Sequence, residues 1–171
     1  MANQLVITII TDDRPGVVEQ LAAIVSRHQG NWLQSALSRL GGKFAGIVLI
    51  DIDLDNQAGL ETDLSELSNK GIRVTIDAAG QHQASGGEKA EFDVIGNDRK
   101  GIVEEISQVL ARADVSVDEL TTRTESAPMS GEMLFIASAS VVLPEGMDRD
   151  DLQSLLEKLS ADLMVEFEPR G

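Results

Sequence analysis

The sequence predicts an α+β protein built from two tandem βαββαβ modules, and three observations carry that prediction. A nine-residue stretch, Thr11-Asp12-Asp13-Arg14-Pro15-Gly16-Val17-Val18-Glu19, is answered at a constant offset of 85 by Gly96-Asn97-Asp98-Arg99-Lys100-Gly101-Ile102-Val103-Glu104. In both places a strand-like apolar run precedes the stretch and a helical apolar pattern follows it. After that, the same order of elements repeats to the end of each half.

The opening strands are predicted over residues 5–11 and 92–95. The first helices carry Val17, Leu21, Ile24, Val25 and Ile102, Ile106, Val109, Leu110 in register, at the spacing that puts them on one helix face. Extended stretches follow at 31–39 and 116–125. Each turns back through a hairpin, at Gly41-Gly42 in the first half and over the longer 126–131 in the second. The return strands are predicted over 44–54 and 133–143. Second helices carry Leu60, Leu64, Leu67 and Leu152, Leu155, Leu156, Leu159, and closing strands fall at 72–77 and 164–167. Each half is then the ferredoxin-like arrangement, with helices on one face of an antiparallel sheet. The expected domains are 1–79 and 90–171, joined by a linker over 80–89 that contains Gly80, Ser85, Gly86 and Gly87.

Modules of this length bury a modest fraction of their surface, so each is expected to lean on the other or on a second chain, and a homo-oligomer is the default. The halves differ in how they meet that need. Glu91, Phe92, Asp93, Val94 alternate as a strand with one wet face should. In the first half Leu5, Val6, Ile7, Ile9, Ile10 and Ile47, Val48, Leu49, Ile50, Ile52 are apolar on both pleat faces, which predicts a cover over the sheet side away from the helices.

Charge narrows the partners. The formal net charge is −15, with ten carboxylates against six cations up to residue 84 and nineteen against eight beyond it. Affinity for nucleic acid rests largely on Lys and Arg neutralising phosphates, so direct DNA or RNA binding is not expected. The absence of cysteine removes disulfides and thiolate chemistry and suits a reducing compartment, the cytoplasm. The apolar run at 5–10 is far too short to span a bilayer and has no basic segment before it, so neither membrane insertion nor export is expected.

The loop residues carry a family resemblance. Asp13-Arg14-Pro15-Gly16-Val17 resembles the strand, D-R-P-G loop and amphipathic helix of the ACT domain, a βαββαβ amino-acid-sensing module. The second copy, Asp98-Arg99-Lys100-Gly101-Ile102, is similar but has Lys100 where proline is usual. The resemblance implies a non-catalytic regulatory protein with a small amino acid, glycine or a similar one, as ligand. It further implies a protein partner, a DNA-binding regulator of transcription. Two alternatives stay open: a free-standing regulatory subunit of an amino-acid biosynthetic enzyme, and a small enzyme on the same scaffold.

The chemistry of the loop fits a zwitterion. A strand that ends in a glycine-containing loop and opens a helix presents backbone N–H groups at the positive end of the helix dipole, where a carboxylate can sit. Gly16 and Gly101 would admit it close to the backbone. Asp12, Asp13, Asn97 and Asp98 could then receive its ammonium group, with Arg14, Pro15, Val17, Arg99 and Ile102 completing the two candidate sites. The same residues also read as plain helix starts, with Asp13 and Asp98 as N-caps and Pro15 in the first turn.

Other candidates are weaker. Asp51, Asp53 and Asp55 have the opening spacing of a calcium loop, but Asn56 and Thr62 stand where glycine and glutamate are required, so no metal site is expected. His28 and His82 have no partner spaced for zinc or a catalytic triad, and no nucleophile motif is visible, so neither catalysis nor a cofactor is expected. Trp32 is expected in or near the first core.

Overall fold

The computed structural model describes residues 2–81 and 86–169. The chain divides into two compact units, 1–82 and 83–171. In the first, β1 (Ala2–Asp12), α1 (Val17–Arg27), β2 (Asn31–Leu40), β3 (Lys43–Asp53), α2 (Leu54–Glu66), one 3₁₀ turn (Leu67–Lys70) and β4 (Arg73–Ala78) follow in order. In the second the series is β5 (Lys89–Asn97), α3 (Ile102–Arg112), β6 (Ser116–Ser126), β7 (Met133–Val142), α4 (Arg149–Glu157) and β8 (Met164–Phe167). The sheets are fully antiparallel, in the orders β2-β3-β1-β4 and β6-β7-β5-β8, so both units have the ferredoxin-like topology.

Each core forms where the apolar pleat face meets the apolar helix stripes. In the first unit Leu5, Ile7 and Ile9 of β1 and Val48, Ile50 and Ile52 of β3 pack with Val17, Leu21, Ile24 and Val25 of α1 and Leu60 and Leu64 of α2. The second core repeats this with Phe92 and Val94, Ile102, Ile106 and Leu110, and Leu152 and Leu156. Val109 and Leu159 pack at its margin, whereas Leu155 of the predicted stripe is exposed. Trp32 is half-buried against the first core.

Several element ends differ from expectation. The strand predicted to reach residue 54 stops at Asp53, because Asp53 takes an extended conformation (φ −69°, ψ 143°) at the N-cap of α2 and Leu54 starts the helix. Leu67 lies in the 3₁₀ turn instead of α2. β5 already begins at Lys89, and the Leu143 N–H donates to the Glu88 carbonyl at 2.8 Å. His82 and Ser85 of the expected linker lie outside the described residues. No helix among the described residues is long and apolar enough to cross a membrane.

One interhelical contact links residues far apart in sequence. His28, at the C-cap of α1, donates from Nε2 to Asp63 Oδ2 of α2 at 2.6 Å, and Arg27 Nη1 reaches the same oxygen at 3.3 Å. The His28 hydrogen bond holds the Asp63 carboxyl below its ordinary value. The outer sheet faces are unlike each other. In the first unit Val6, Ile10 and Leu49 are half-buried and Ile47 is 52% exposed, while Ala79, whose N–H donates to the Gln4 carbonyl, leads residues 79–81 along a groove of about 790 Å³ there. In the second unit the same face carries Glu91, Asp93 and Glu119, with Ser140 and Ser138 donating to the first two.

Close strand approach generates a test. A Cβ on Gly46 of β3 would lie 2.1 Å from the Ala36 carbonyl oxygen and 2.7 Å from Leu37 Cα, both backbone atoms of β2 that cannot swing aside. Gly46→Ala is expected to lower unfolding free energy by about 1–3 kcal/mol, as overpacking does. Gly80→Ala, where a Cβ would meet nothing within 4 Å, is expected to be near neutral. Urea denaturation of both variants measures the difference, and equal stabilities would contradict the tight β2–β3 approach.

Candidate functional site

Both sequence copies fold into the same strand–loop–helix corner. β1 ends at Asp12, the Asp13 N–H is tied to the Gly42 carbonyl at 3.0 Å, and α1 begins at Val17. In the second unit the Asp98 N–H is tied to the Met133 carbonyl at 2.9 Å and α3 begins at Ile102. The N-cap is Gly16 (φ +90°, ψ 0°) in one corner and Gly101 (φ +85°, ψ 1°) in the other. Asp13 and Asp98 are therefore not the caps, and Pro15 lies ahead of the helix instead of in its first turn. Left-handed backbone at the cap is what glycine allows and a Cβ opposes.

No side chain caps either helix. In the same chain α4 has a complete capping box between Asp148 and Asp151. The starts of α1 and α3 thus keep first-turn N–H groups at the positive end of the helix dipole with no capping oxygen from a side chain. Space above them is open. A Cβ built on Gly101 would meet nothing within 4 Å, and one on Gly16 only Gln20 Nε2 at 3.9 Å.

The charged residues of the first loop already have partners. Asp13 pairs with Arg39 of β2 at 2.8 Å, and Asp12 pairs with Lys43 at the start of β3. Lys43, by hydrogen bond and charge, holds the Asp12 carboxyl below its ordinary value. Arg14 donates to the Lys70 carbonyl. Asp12, Asp13, Arg14, Pro15 and Gly16 are all exposed, whereas the Val17 side chain is buried in the core and can contribute only its backbone.

In the second loop a carboxylate of the chain itself has moved in. Asp162, two residues before β8, accepts the Asn97 N–H on Oδ2 at 2.8 Å and the Ser160 hydroxyl on its other oxygen. The corresponding place before β4 is Gly71, which has no side chain to offer. The Ser160 hydroxyl first, then the Asn97 N–H, lower the Asp162 pKa, and the Arg99 charge adds to this. Arg99 itself is ion-paired with Glu105 one turn into α3. Asn97, Asp98, Lys100 and Gly101 are exposed and Ile102 is buried. Gly96 accommodates the packing, since a Cβ there would fall 2.5 Å from Leu163 Cδ2.

The sequence pattern located both corners but missed Arg39, Lys43 and Asp162. Nothing in their local sequence marks them, because each reaches its loop only through sheet pairing or a chain crossing. Among the described residues no group of three or more His, Cys, Asp or Glu side chains is placed to hold a metal ion, and the three aspartates at 51–55 are split between β3 and the start of α2.

Comparisons with known proteins bear on the fold and on the first unit in particular. The family model of the ACT domain matches residues 3–77. A protein of unknown function from Galdieria sulphuraria has a similar crystal structure, with a TM-score of 0.80, 26% identity, and 98% of each chain covered. A second crystal structure, of a protein provisionally assigned as a glycine cleavage system transcriptional repressor, has a TM-score of 0.72 at 21% identity, covering 98% of this chain and 97% of that one. No curated protein matches the sequence.

The internal carboxylate of the second loop has a pH signature. Its folded pKa is depressed, so its contribution to stability is complete well above the unfolded aspartate value of about 3.9 and is lost as pH falls through the folded value. Asp162→Asn should therefore be less stable than wild type at pH 7. The deficit should begin to shrink below about pH 4 and vanish once the wild-type carboxyl is protonated in the folded state. Thermal melts of the two proteins across that range measure it, and a deficit independent of pH would show that the charge is not what Asn97 holds.

Proposed function

Since residues 3–77 are an ACT domain and the second unit repeats its fold, we propose that this chain is a non-catalytic regulatory protein that senses a small amino acid, glycine or one like it. The observation that carries this reading is the uncapped start of α1 beneath open space in a chain that caps α4 fully. The ligand carboxylate takes the first-turn N–H groups of α1, and Gly16 lets it approach. The ammonium group goes to Asp13 or Asp12 in exchange for Arg39 or Lys43. Exposed ion pairs of this kind are screened by solvent and contribute little, so the exchange costs little.

That exchange supplies a route for a signal. Arg39 and Lys43 belong to the β2–β3 hairpin, so occupancy of the loop alters which charges the hairpin displays. Sensing requires only that the ligand bind two states differently, typically by about 1–3 kcal/mol. With a net charge of −15 the chain is unsuited to hold DNA itself. We infer that the output is contact with a protein, a DNA-binding regulator of transcription. The first loop is the working site in this reading, because its Asp13-Arg14-Pro15-Gly16 signature is intact, while the second loop carries Lys100 and has the Asp162 carboxylate beside it on the Asn97 N–H.

A thermal-shift screen of the purified chain against the common amino acids tests the sensor reading. A small amino acid is expected to raise the melting temperature, and no response to any of them would overturn the proposal. Calorimetric titration with the amino acid that responds then locates the site. Gly16→Ala and Gly101→Ala carry matched backbone strain, since φ is +90° and +85°. Gly16→Ala is expected to weaken binding by about tenfold or more and Gly101→Ala to leave it unchanged, estimates based on obstructed approach to the backbone. Equal loss in both would remove the preference for the first loop.

A further inference from the structure

The helix layer of the first unit is not closed. Between α1 and the end of α2 with its 3₁₀ turn lies a groove of about 210 Å³, with Ala23, Ile24 and Leu67 as apolar lining and Gln20, Glu66 and Lys70 beside them. Gln20 lies two turns, about 10 Å, before Arg27 on α1, so the groove has two unlike ends. At the Arg27 end the charges are already engaged, since Arg27 reaches Asp63 at 3.3 Å and His28 holds the same oxygen at 2.6 Å. At the Gln20 end they are not. Neither the Glu66 carboxylate nor the Lys70 ammonium has an ion-pair partner among the described residues. Gln20 Oε1 is sealed from solvent with no hydrogen-bond donor, and the side chain makes no other hydrogen bond. Buried polar atoms left unpaired are few in a folded chain, and each asks for a partner.

We propose that this groove is a second small-molecule site, built for a zwitterionic amino acid with an aliphatic side chain. The unpartnered groups are one carboxylate, one ammonium and one amide, which is the complement of such a ligand. Its ammonium goes to Glu66 and Gln20 Oε1, its carboxylate to Lys70, and its side chain onto Ala23, Ile24 and Leu67. With no hydrogen bond to break, the Gln20 side chain is free to turn and bring its oxygen to that donor. Size narrows the class further. Pockets for drug-sized ligands run to about 300–1,000 Å³, so a nucleotide or a larger cofactor is too big for this one.

The second unit is an internal reference. Its α3 corresponds to α1 at the repeat offset of 85, and its core residues Leu152 and Leu156 correspond to Leu60 and Leu64. On that alignment Gln108 stands for Ala23, and its amide donates to Glu104 at 3.3 Å. Glu105 stands for Gln20 and is ion-paired with Arg99, while Lys158 stands for Glu66. The copy that keeps the same core thus loses both the small residue that opens the groove and the pattern of free polar groups beside it. The site is separate from the loop at Gly16 and does not rest on a ligand binding there. Arg14 joins the two, since it donates from that loop to the Lys70 carbonyl.

Titration of the ¹⁵N-labelled full chain with L-valine tests the proposal. Valine has about eight non-hydrogen atoms, for which a dissociation constant on the order of 1 mM is expected. The side-chain amide signals of Gln20 and the backbone signals of Ala23 and Leu67 should shift together along that curve. Isobutyrate and isobutylamine, which each lack one charge of the zwitterion, should bind about tenfold or more weakly. Glycine, with no side chain for the apolar lining, should move these signals little. Ala23→Gln installs the residue of the second unit at an exposed helical position that glutamine suits, and it should weaken valine by about tenfold or more. Circular dichroism melts confirm that the variant is folded. Signals that do not move at tens of millimolar valine, or valine binding that Ala23→Gln leaves unchanged, would overturn the proposal. Shifts confined to Gly16 to Glu19 would seat valine at the loop, overturning the groove site and leaving the reading of the loop intact.

Discussion

The strand-to-helix corner is the constraint on which each unit depends. The central strand must end, reverse and deliver a helix back across its own sheet within about four residues, and the helix must arrive with Val17 or Ile102 already pointing into the core. A left-handed residue at the cap makes that turn possible, and glycine is the residue that takes it without a steric penalty. The consequence is chemical as well as geometric. A glycine cap has no side-chain oxygen to offer, so the geometry that docks the helix also leaves its positive end uncapped.

The two units resolve that shared consequence differently. In the second, Asp162 from the crossing before β8 places a carboxylate at the corner, and Arg99 is drawn toward Glu105. In the first, Gly71 stands at the matching place, and the nearby charges are cations from the β2–β3 hairpin held on Asp12 and Asp13. One corner thus has a carboxylate of its own beside the strand end, while the other has two cations from the hairpin, and both helix starts remain without a side-chain cap. A duplicated module whose copies diverge in this way can keep one copy responsive while the other serves as a fixed structural counterpart.

Periodicity made most of the fold legible. The stripe Val17, Leu21, Ile24, Val25 is the buried face of α1, and the alternation of Glu91 to Val94 is the wet and dry face of β5, because burial acts on the same spacings that helices and strands impose. Ends were harder. Leu54 reads as strand by its apolar neighbours, yet it starts α2 with the extended Asp53 as its N-cap, and Leu155 belongs to a leucine run but is exposed beside the buried Leu152 and Leu156. The two glycine corners were visible as a repeat. Their partners were not, since Arg39, Lys43 and Asp162 approach from residues 26 to 65 positions away along the chain, and His28 finds Asp63 only when α1 and α2 lie side by side. Charge pairs of that kind leave no local pattern.

The claim that the start of α1 receives a carboxylate is tested most directly by the amide resonances of the protein in solution. Titration of the ¹⁵N-labelled chain with the amino acid that stabilises it should shift the backbone signals of Gly16, Val17, Val18 and Glu19 first and most, together with the side-chain signal of Arg39 as it leaves Asp13. The equivalent signals of Gly101 to Glu104 should move little. Shifts confined to the second corner, or centred on residues remote from both, would contradict the account.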